Sequence, residues 1–313
     1  MRNTLLIAAA SAALVACGSE TAAPSAESDA PAAEATPAPE QSAASEPSAD
    51  EASSLAAVLA AQPDETKARY QYRNPEETLT FFGVEPGMTV VDVLPGGGWY
   101  GKILLPYLGA DGALVGADYS VEMWPLFGGR FSSEEALNAK KVWVETWTAD
   151  AEGWRSDGDA SVNAFQFGAV PEEMKGTADV VMMIRAFHHL NRFEEEGGFR
   201  TAALAETFNV LKPGGTLAIV QHRAPEGNDD KWAEGDNGYV KQSTVIAAVE
   251  AAGFELVEAS EINANPNDQP TTDDVVWRLP PSLAGSKDDE ERRAAMQAIG
   301  ESDRMTLKFR KPS

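Results

Sequence analysis

Val90-Val-Asp-Val-Leu-Pro-Gly-Gly-Gly-Trp-Tyr100 is the stretch on which the fold of this chain turns. Thr89, Val90, Val91 and Val93 form a short β-branched run that reads as a buried parallel strand. Pro95 and three glycines, Gly96, Gly97 and Gly98, follow, and residues 100–108 then carry the apolar spacing of a helix. A strand that turns through glycine into a helix brings bare backbone N–H groups up to a ligand. Asp92, near the strand end, adds a carboxylate, and the combination suits a nucleotide-like molecule. Tight turns also use glycine for purely steric reasons, so the turn alone does not decide function.

Working outward, the pattern alternates between strand and helix. Downstream, residues 113–117 read as a second strand ending at Asp118, and 178–184 as a fourth, followed by Arg185-Ala-Phe-His-His-Leu. Residues 134–147 fit a helix, with a strand over 142–147 as the alternative; the helix is preferred, which leaves 161–167 as the third strand. A helix over 199–210 stops at Lys212-Pro-Gly-Gly, before a fifth strand at 216–221. A helix over 243–252, a sixth strand over 254–262 and a last strand over 305–310 complete the pattern. Upstream, Asn74 stands as an N-cap before Pro75, with a helix running to Gly83. The alternation predicts an α/β domain over 54–313: a doubly wound, mostly parallel sheet with helices on both faces.

The first 16 residues read as an export signal: Arg2, an apolar stretch over 5–15, then Leu14-Val-Ala-Cys17. This tetrapeptide resembles the lipobox of bacterial lipoproteins, which implies cleavage before Cys17 and a lipid on its thiol. The expected location is the cell envelope, on the periplasmic side of a bacterial membrane. Cys17 is the only cysteine, which excludes an intrachain disulfide and a cysteine-based metal site. Residues 17–53 are rich in Ala, Ser, Pro and Glu and predict a disordered acidic tether. The net charge of −24 argues against nucleic acid and anionic lipid surfaces as partners, so the membrane enters only through Cys17.

The order of elements, with Pro-Gly-Gly before the fifth strand, resembles the class I S-adenosylmethionine-dependent methyltransferases. More closely it resembles a subgroup of predicted, often exported, members. The matching pieces are Tyr72-Arg-Asn-Pro-Glu-Glu-Thr-Leu-Thr-Phe-Phe-Gly, Pro95-Gly-Gly-Gly-Trp-Tyr, Ser260-Glu-Ile-Asn-Ala-Asn-Pro, Val276-Trp-Arg-Leu-Pro-Pro and Leu307-Lys-Phe-Arg-Lys-Pro. The resemblance implies a Rossmann-like sheet of seven strands with the last antiparallel. It also implies S-adenosylmethionine as cofactor but says little about the methyl acceptor, for which a small molecule is the expectation. By position it assigns Asp92, Pro95, Gly96, Gly97 and Gly98 to the methionine and ribose part, and Asp118 with Tyr119 to the ribose. Gly168 falls where the family carries an acidic residue near the adenine; Asp150 takes that place only if the strand over 142–147 is right. The family's first loop glycine is Leu94 here, followed by Pro95, which makes a stiffer loop with fewer free N–H groups.

All three histidines lie at strand ends: His188 and His189 after the fourth strand, His222 after the fifth. Neighbouring strands would gather them with Arg185 and Arg223 near the reacting methyl group. His188, His222 and Arg185 are the candidate catalytic residues, since a histidine titrating near neutrality can take a proton from the acceptor. A pocket-shaping role competes, most strongly for His189, and no acidic residue is spaced to complete a histidine metal site. Trp99, Tyr100, Phe187 and Tyr239 are candidate walls of an acceptor pocket, and residues 263–281 a lid or a surface loop. The charged run 287–293 reads as a solvated helix face. An exported binding protein that keeps the fold without catalysis is the alternative function, and a structural envelope lipoprotein ranks last.

Overall fold

The computed structural model describes residues 54–313; the signal, Cys17 and the tether lie outside the described residues. Seven strands carry the sheet: β1 (Thr89–Val93), β2 (Ala113–Asp118), β3 (Ser161–Gln166), β4 (Ala178–Ile184), β5 (Leu211–Ala224), β6 (Glu255–Ser260) and β7 (Arg304–Arg310). Their spatial order is 3-2-1-4-5-7-6. Strands β1 to β5 run parallel, whereas β7 pairs antiparallel with both β5 and β6. A two-residue strand, Val240–Lys241, adds to the far end of β5. The longer helices are α1 (Leu55–Ala61), α2 (Pro75–Phe82), α3 (Gly101–Leu108), α4 (Glu134–Lys141), α5 (Trp143–Glu152), α6 (Phe187–Arg192), α7 (Phe199–Val210), α8 (Gln242–Ala251) and α9 (Glu290–Ile299).

Alternation along the buried strands divides the apolar residues between two cores. Val91, Val93, Met183, Leu217 and Ile219 face one side, with Phe165, Leu204 and Leu307. Val90, Val180, Met182, Ala218 and Val220 face the other, with Leu79, Leu104 and Trp147. Each large apolar side chain so buried contributes roughly 1.5–3 kcal/mol, which makes the two-sided sheet the dominant stabilising unit. The same period of two puts Asp92 on the face of Val90, under α3.

The stretch over 134–147 is helical, broken only at Val142. Trp147 decides it: a Cβ on Gly116 of β2 would stand 2.6 Å from its ring, so α5 packs directly on the sheet. The fifth strand is longer than expected. It begins at Leu211, takes Pro213-Gly-Gly into the strand, and continues past His222 to Ala224. Asn74 holds the N-cap position but does not cap with its side chain. Its amide instead donates to the Ile262 carbonyl at 2.7 Å, tying α2 to the far edge of the sheet. The charged run beyond 287 leads into α9, which buries no residue and is capped by Asp289.

Candidate functional site

The crevice lies over the carboxyl ends of β1, β2, β4 and β5. At the end of β1, Leu94 adopts φ +57°. A left-handed conformation costs a branched residue roughly 1–2 kcal/mol relative to glycine. The Leu94 N–H is held at 2.7 Å from the Ala117 carbonyl, which fixes the turn despite that strain. The three glycines behind it differ in purpose. Gly98 is a packing glycine, since a Cβ there would stand 2.3 Å from the Trp154 ring. Gly96 and Gly97 have nothing within 4 Å of a would-be Cβ and are exposed, so they present open backbone beside Pro95.

At the end of β2, Asp118 is 1% exposed. Its carboxylate accepts from Lys140 Nζ at 2.8 Å and from the Tyr119 N–H at 2.9 Å. Burial pushes its carboxyl up, and Lys140 pulls in the opposite direction. The Tyr119 hydroxyl donates to the Ala186 carbonyl at 2.8 Å and lies 3.1 Å from His189 Nδ1. Because β1 lies between β2 and β4, this ring crosses the end of β1. Phe127 stacks on it at 6.4 Å between centroids.

Register pairs Asp118 with Gln166, the last residue of β3. The Gln166 amide donates to the Lys140 carbonyl, which makes it a polar site residue that sequence reasoning missed. Gly168 lies two residues beyond, its N–H donating to Glu206 at 2.8 Å. An apolar cavity of about 320 Å³ opens here, between Met123, Phe167, Gly168 and Leu190. Ser120 lines it with a buried hydroxyl that has no hydrogen-bond partner. Asp150 is exposed on α5, away from the strand ends, and takes no part.

At the ends of β4 and β5 the expected gathering is only partly realised. His188 and His189 lie 3.9 Å apart between ring centroids, and His188 and His222 5.5 Å. With Arg185 and Leu94 they line a cavity of about 210 Å³, closed by Trp277, Pro280, Pro281 and Ser302. Arg223 points elsewhere, into Glu261 and Asp303. Gln221 Oε1 lies 3.2 Å from both the His188 N–H and its Nδ1, and the Gln221 amide is oriented by donating to the Gly238 carbonyl. This assigns the proton to Nδ1 and leaves the lone pair on Nε2. His222 Nδ1 is 2.6 Å from Ser302 Oγ.

Burial lowers all three imidazoles, His188 to about 4, so they are neutral at pH 7 and weaker bases than expected. Burial raises Asp92 to about 7, with Arg185 opposing. Arg185 has φ +59°, its N–H donates to the Val220 carbonyl at 2.6 Å, and its side chain has a buried Nε without a partner and no hydrogen bond or ion pair among the described residues.

Trp277 is the aromatic residue of this cavity, in place of the four expected. Trp99 lies under the Arg73 guanidinium, and Tyr100 and Phe187 are buried in the two cores. Tyr239 is buried against Asp268 and Arg278. Those two bonds, with Asn263 on Thr78 and Thr306, fasten residues 263–281 as a fixed wall. No group of three or more His, Cys, Asp or Glu among the described residues is placed to hold a metal ion.

Comparison with known proteins gives no matching family model. Among solved structures the chain is similar to one in the complex between the Haloferax volcanii Trm112 methyltransferase activator and the putative methyltransferase. That match has 19% identity over 83% of this chain and 98% of the other, with TM-score 0.47. It is also similar to a SAM-dependent methyltransferase from Aquifex aeolicus, at 19% identity, 80% and 98% coverage and TM-score 0.44. A third is the geranyl diphosphate C-methyltransferase from Streptomyces coelicolor A3(2), at 13% identity, 76% and 77% coverage and TM-score 0.46. These likenesses are distant, and the fold rests on the strand order 3-2-1-4-5-7-6 with β7 reversed. This is the class I methyltransferase fold. In a methyltransferase fold, as in other open parallel sheets, ligands enter at the carboxyl ends of the strands, where the two cavities lie.

Proposed function

We propose that the chain is an S-adenosylmethionine-dependent methyltransferase acting on a small-molecule acceptor, exported and tethered through a lipidated Cys17. One observation carries this reading. A buried carboxylate at the tip of β2 stands between the open Gly96-Gly97 turn and an apolar cavity containing an orphaned hydroxyl. The residues fit the parts of the cofactor. Asp118 can accept both hydroxyls of a ribose, and charge-assisted bonds of that kind are the stronger ones. The cavity of Met123, Phe167 and Leu190 suits a flat heterocycle, with Ser120 and Glu122 as polar partners. S-adenosylmethionine, when bound, supplies a methyl group on a sulfonium. The cavity at Arg185 and His188 would position the acceptor. His188, with a pKa of about 4, is a weak base, so the contribution of these residues is mainly orientation. For the ribose to reach Asp118, Lys140 must move aside. Helix α4, which carries Lys140, buries none of its residues fully, so the Lys140 side chain can swing outward once it gives up Asp118 and the Trp124 ring. Calorimetric titration with S-adenosylmethionine and S-adenosylhomocysteine tests the proposal; a folded chain that binds neither contradicts it.

The second reading is a non-catalytic binding protein. It is favoured by the Lys140 clasp on Asp118 and by the Tyr119 ring across β1. Mass spectrometry of ligand extracted from natively purified protein separates the two. S-adenosylhomocysteine supports the enzyme, and a different metabolite supports the binder.

A further inference from the structure

The cavity at the ends of β4 and β5 is chemically two-sided. Leu94, Ile184, Val276, Trp277, Leu279 and Pro281 give it an apolar wall. The other side is polar and carries two fixed charges, the Arg185 guanidinium and the Glu301 carboxylate, since the three histidines beside them are neutral at pH 7.

Among the described residues no carboxylate hydrogen-bonds or ion-pairs with that guanidinium, although Glu301 attracts it from a distance. Glu301, on the same cavity, is already shared. It accepts from Arg69 Nε at 2.7 Å and from Arg304 at 3.0 Å, and it lies 3.4 Å from Arg73 Nε. Three guanidinium groups thus converge on one carboxylate, and Arg185 stands close enough to feel them as repulsion. Burial raises the carboxyl of Asp92, the other acid nearby, to about 7 against the pull of the Arg185 charge, but the two make no hydrogen bond or salt bridge. A half-buried cation without a hydrogen-bonded partner is costly in a fold, and here a strained backbone at φ +59° holds it at the cavity wall. The arrangement is explained if the missing partner arrives with a ligand.

We infer that this cavity receives the carboxylate or phosphate end of a small, otherwise apolar molecule, with Arg185 pairing the anion and Trp277 covering the apolar body. Resting on the proposed function, that molecule is the methyl acceptor, and the acceptor class is anionic.

The test uses the full chain and four probes: benzoate, its uncharged analogue benzamide, inorganic phosphate and S-adenosylhomocysteine. Calorimetry should show benzoate binding at least tenfold tighter than benzamide, with little change when S-adenosylhomocysteine is saturating. Arg185→Gln should abolish that preference, and Arg185→Lys should retain part of it. Trp277→Ala should weaken benzoate while leaving phosphate unchanged, and the preference partly retained by Arg185→Lys guards against a general loss of folding in the arginine variants. The inference is overturned if benzamide binds as well as benzoate, or if no anion binds. It is also overturned if Arg185→Gln binds benzoate like the native chain. Mutual exclusion of benzoate and S-adenosylhomocysteine, with both lost in Arg185→Gln, would give Arg185 to the carboxylate of the cofactor instead. Failure of S-adenosylhomocysteine alone, with benzoate selectivity intact, would overturn the methyltransferase reading and leave the anion site standing.

Discussion

The tips of β2 and β4 lie on either side of β1 and treat their charged residues in opposite ways. Asp118 is matched twice from within the chain, by Lys140 and by the Tyr119 N–H. The Arg185 guanidinium has no hydrogen-bond or ion-pair partner among the described residues, although its Nε is buried. The first end is closed and self-satisfied, so a ligand must displace something to enter. The second is open and charged, so a ligand adds what is missing. The difference separates a latch from a receptor within one crevice.

The largest expected effect breaks the contrast from below. Glu301 is 3% exposed, and Arg304, Arg73 and Arg69 hold its carboxyl below the usual range although burial pulls it up. Glu301→Gln leaves those guanidinium groups as unmatched as Arg185 and should cost about 3–5 kcal/mol by urea denaturation. A cost below about 1 kcal/mol would mean that the cluster is balanced by other groups.

The pH dependence comes next. His188 falls from 6.5 to about 4 on folding, so the unfolded chain takes up protons first as pH drops. Its stabilising contribution is complete above pH 6.5 and is lost towards pH 4, roughly 3 kcal/mol in all. His189 and His222 act in the same direction. Asp92 opposes them. Its folded carboxyl, raised to about 7, keeps a proton that the unfolded chain releases above 3.8, so its contribution is lost as pH rises. Asp92→Asn should therefore steepen the gain in urea midpoint between pH 4.5 and 6.5. An unchanged slope would show that Asp92 does not titrate in that window.

Lys140→Met sharpens the contrast by opening the latch. Asp118 then stands buried with only the Tyr119 N–H as partner, which should lower stability by about 2 kcal/mol. The same change should tighten S-adenosylhomocysteine by roughly tenfold, because the ribose no longer competes with Lys140. Lower stability with weaker binding would mean that Lys140 belongs to the binding site. The smallest effect is that of Tyr119→Phe. Losing the hydroxyl contacts to Ala186 and His189 should cost about 1 kcal/mol in a thermal melt; no cost would remove Tyr119 as a structural bridge.

The strands were legible because burial on both faces leaves an unbroken β-branched run, as in Val90, Val91 and Val93. Residues 134–147 were ambiguous, since Val144 and Trp147 satisfy either period, and only Trp147 on Gly116 resolves them. Within the site, the glycine turn, Asp118 and the histidines could be read because each sits at a strand end. The arginine cluster could not, because Arg69 and Glu301 are 232 residues apart in sequence. Lys140 was hidden for another reason, lying on an exposed helix where a lysine draws no notice. Trp277 was quoted as part of the family resemblance, yet nothing local signalled that a fixed loop would turn it over the histidines. The low basicity of those histidines depends on burial, which a strand-end position does not reveal.

The central claim is that this crevice is built for S-adenosylmethionine, with Asp118 taking the ribose. Calorimetric titration of the chain with S-adenosylhomocysteine, repeated on Asp118→Asn, tests it most directly. The account predicts saturable one-site binding by the native chain and at least tenfold weaker binding by the variant. No heat from a folded native chain, or equal affinity in both, would contradict it.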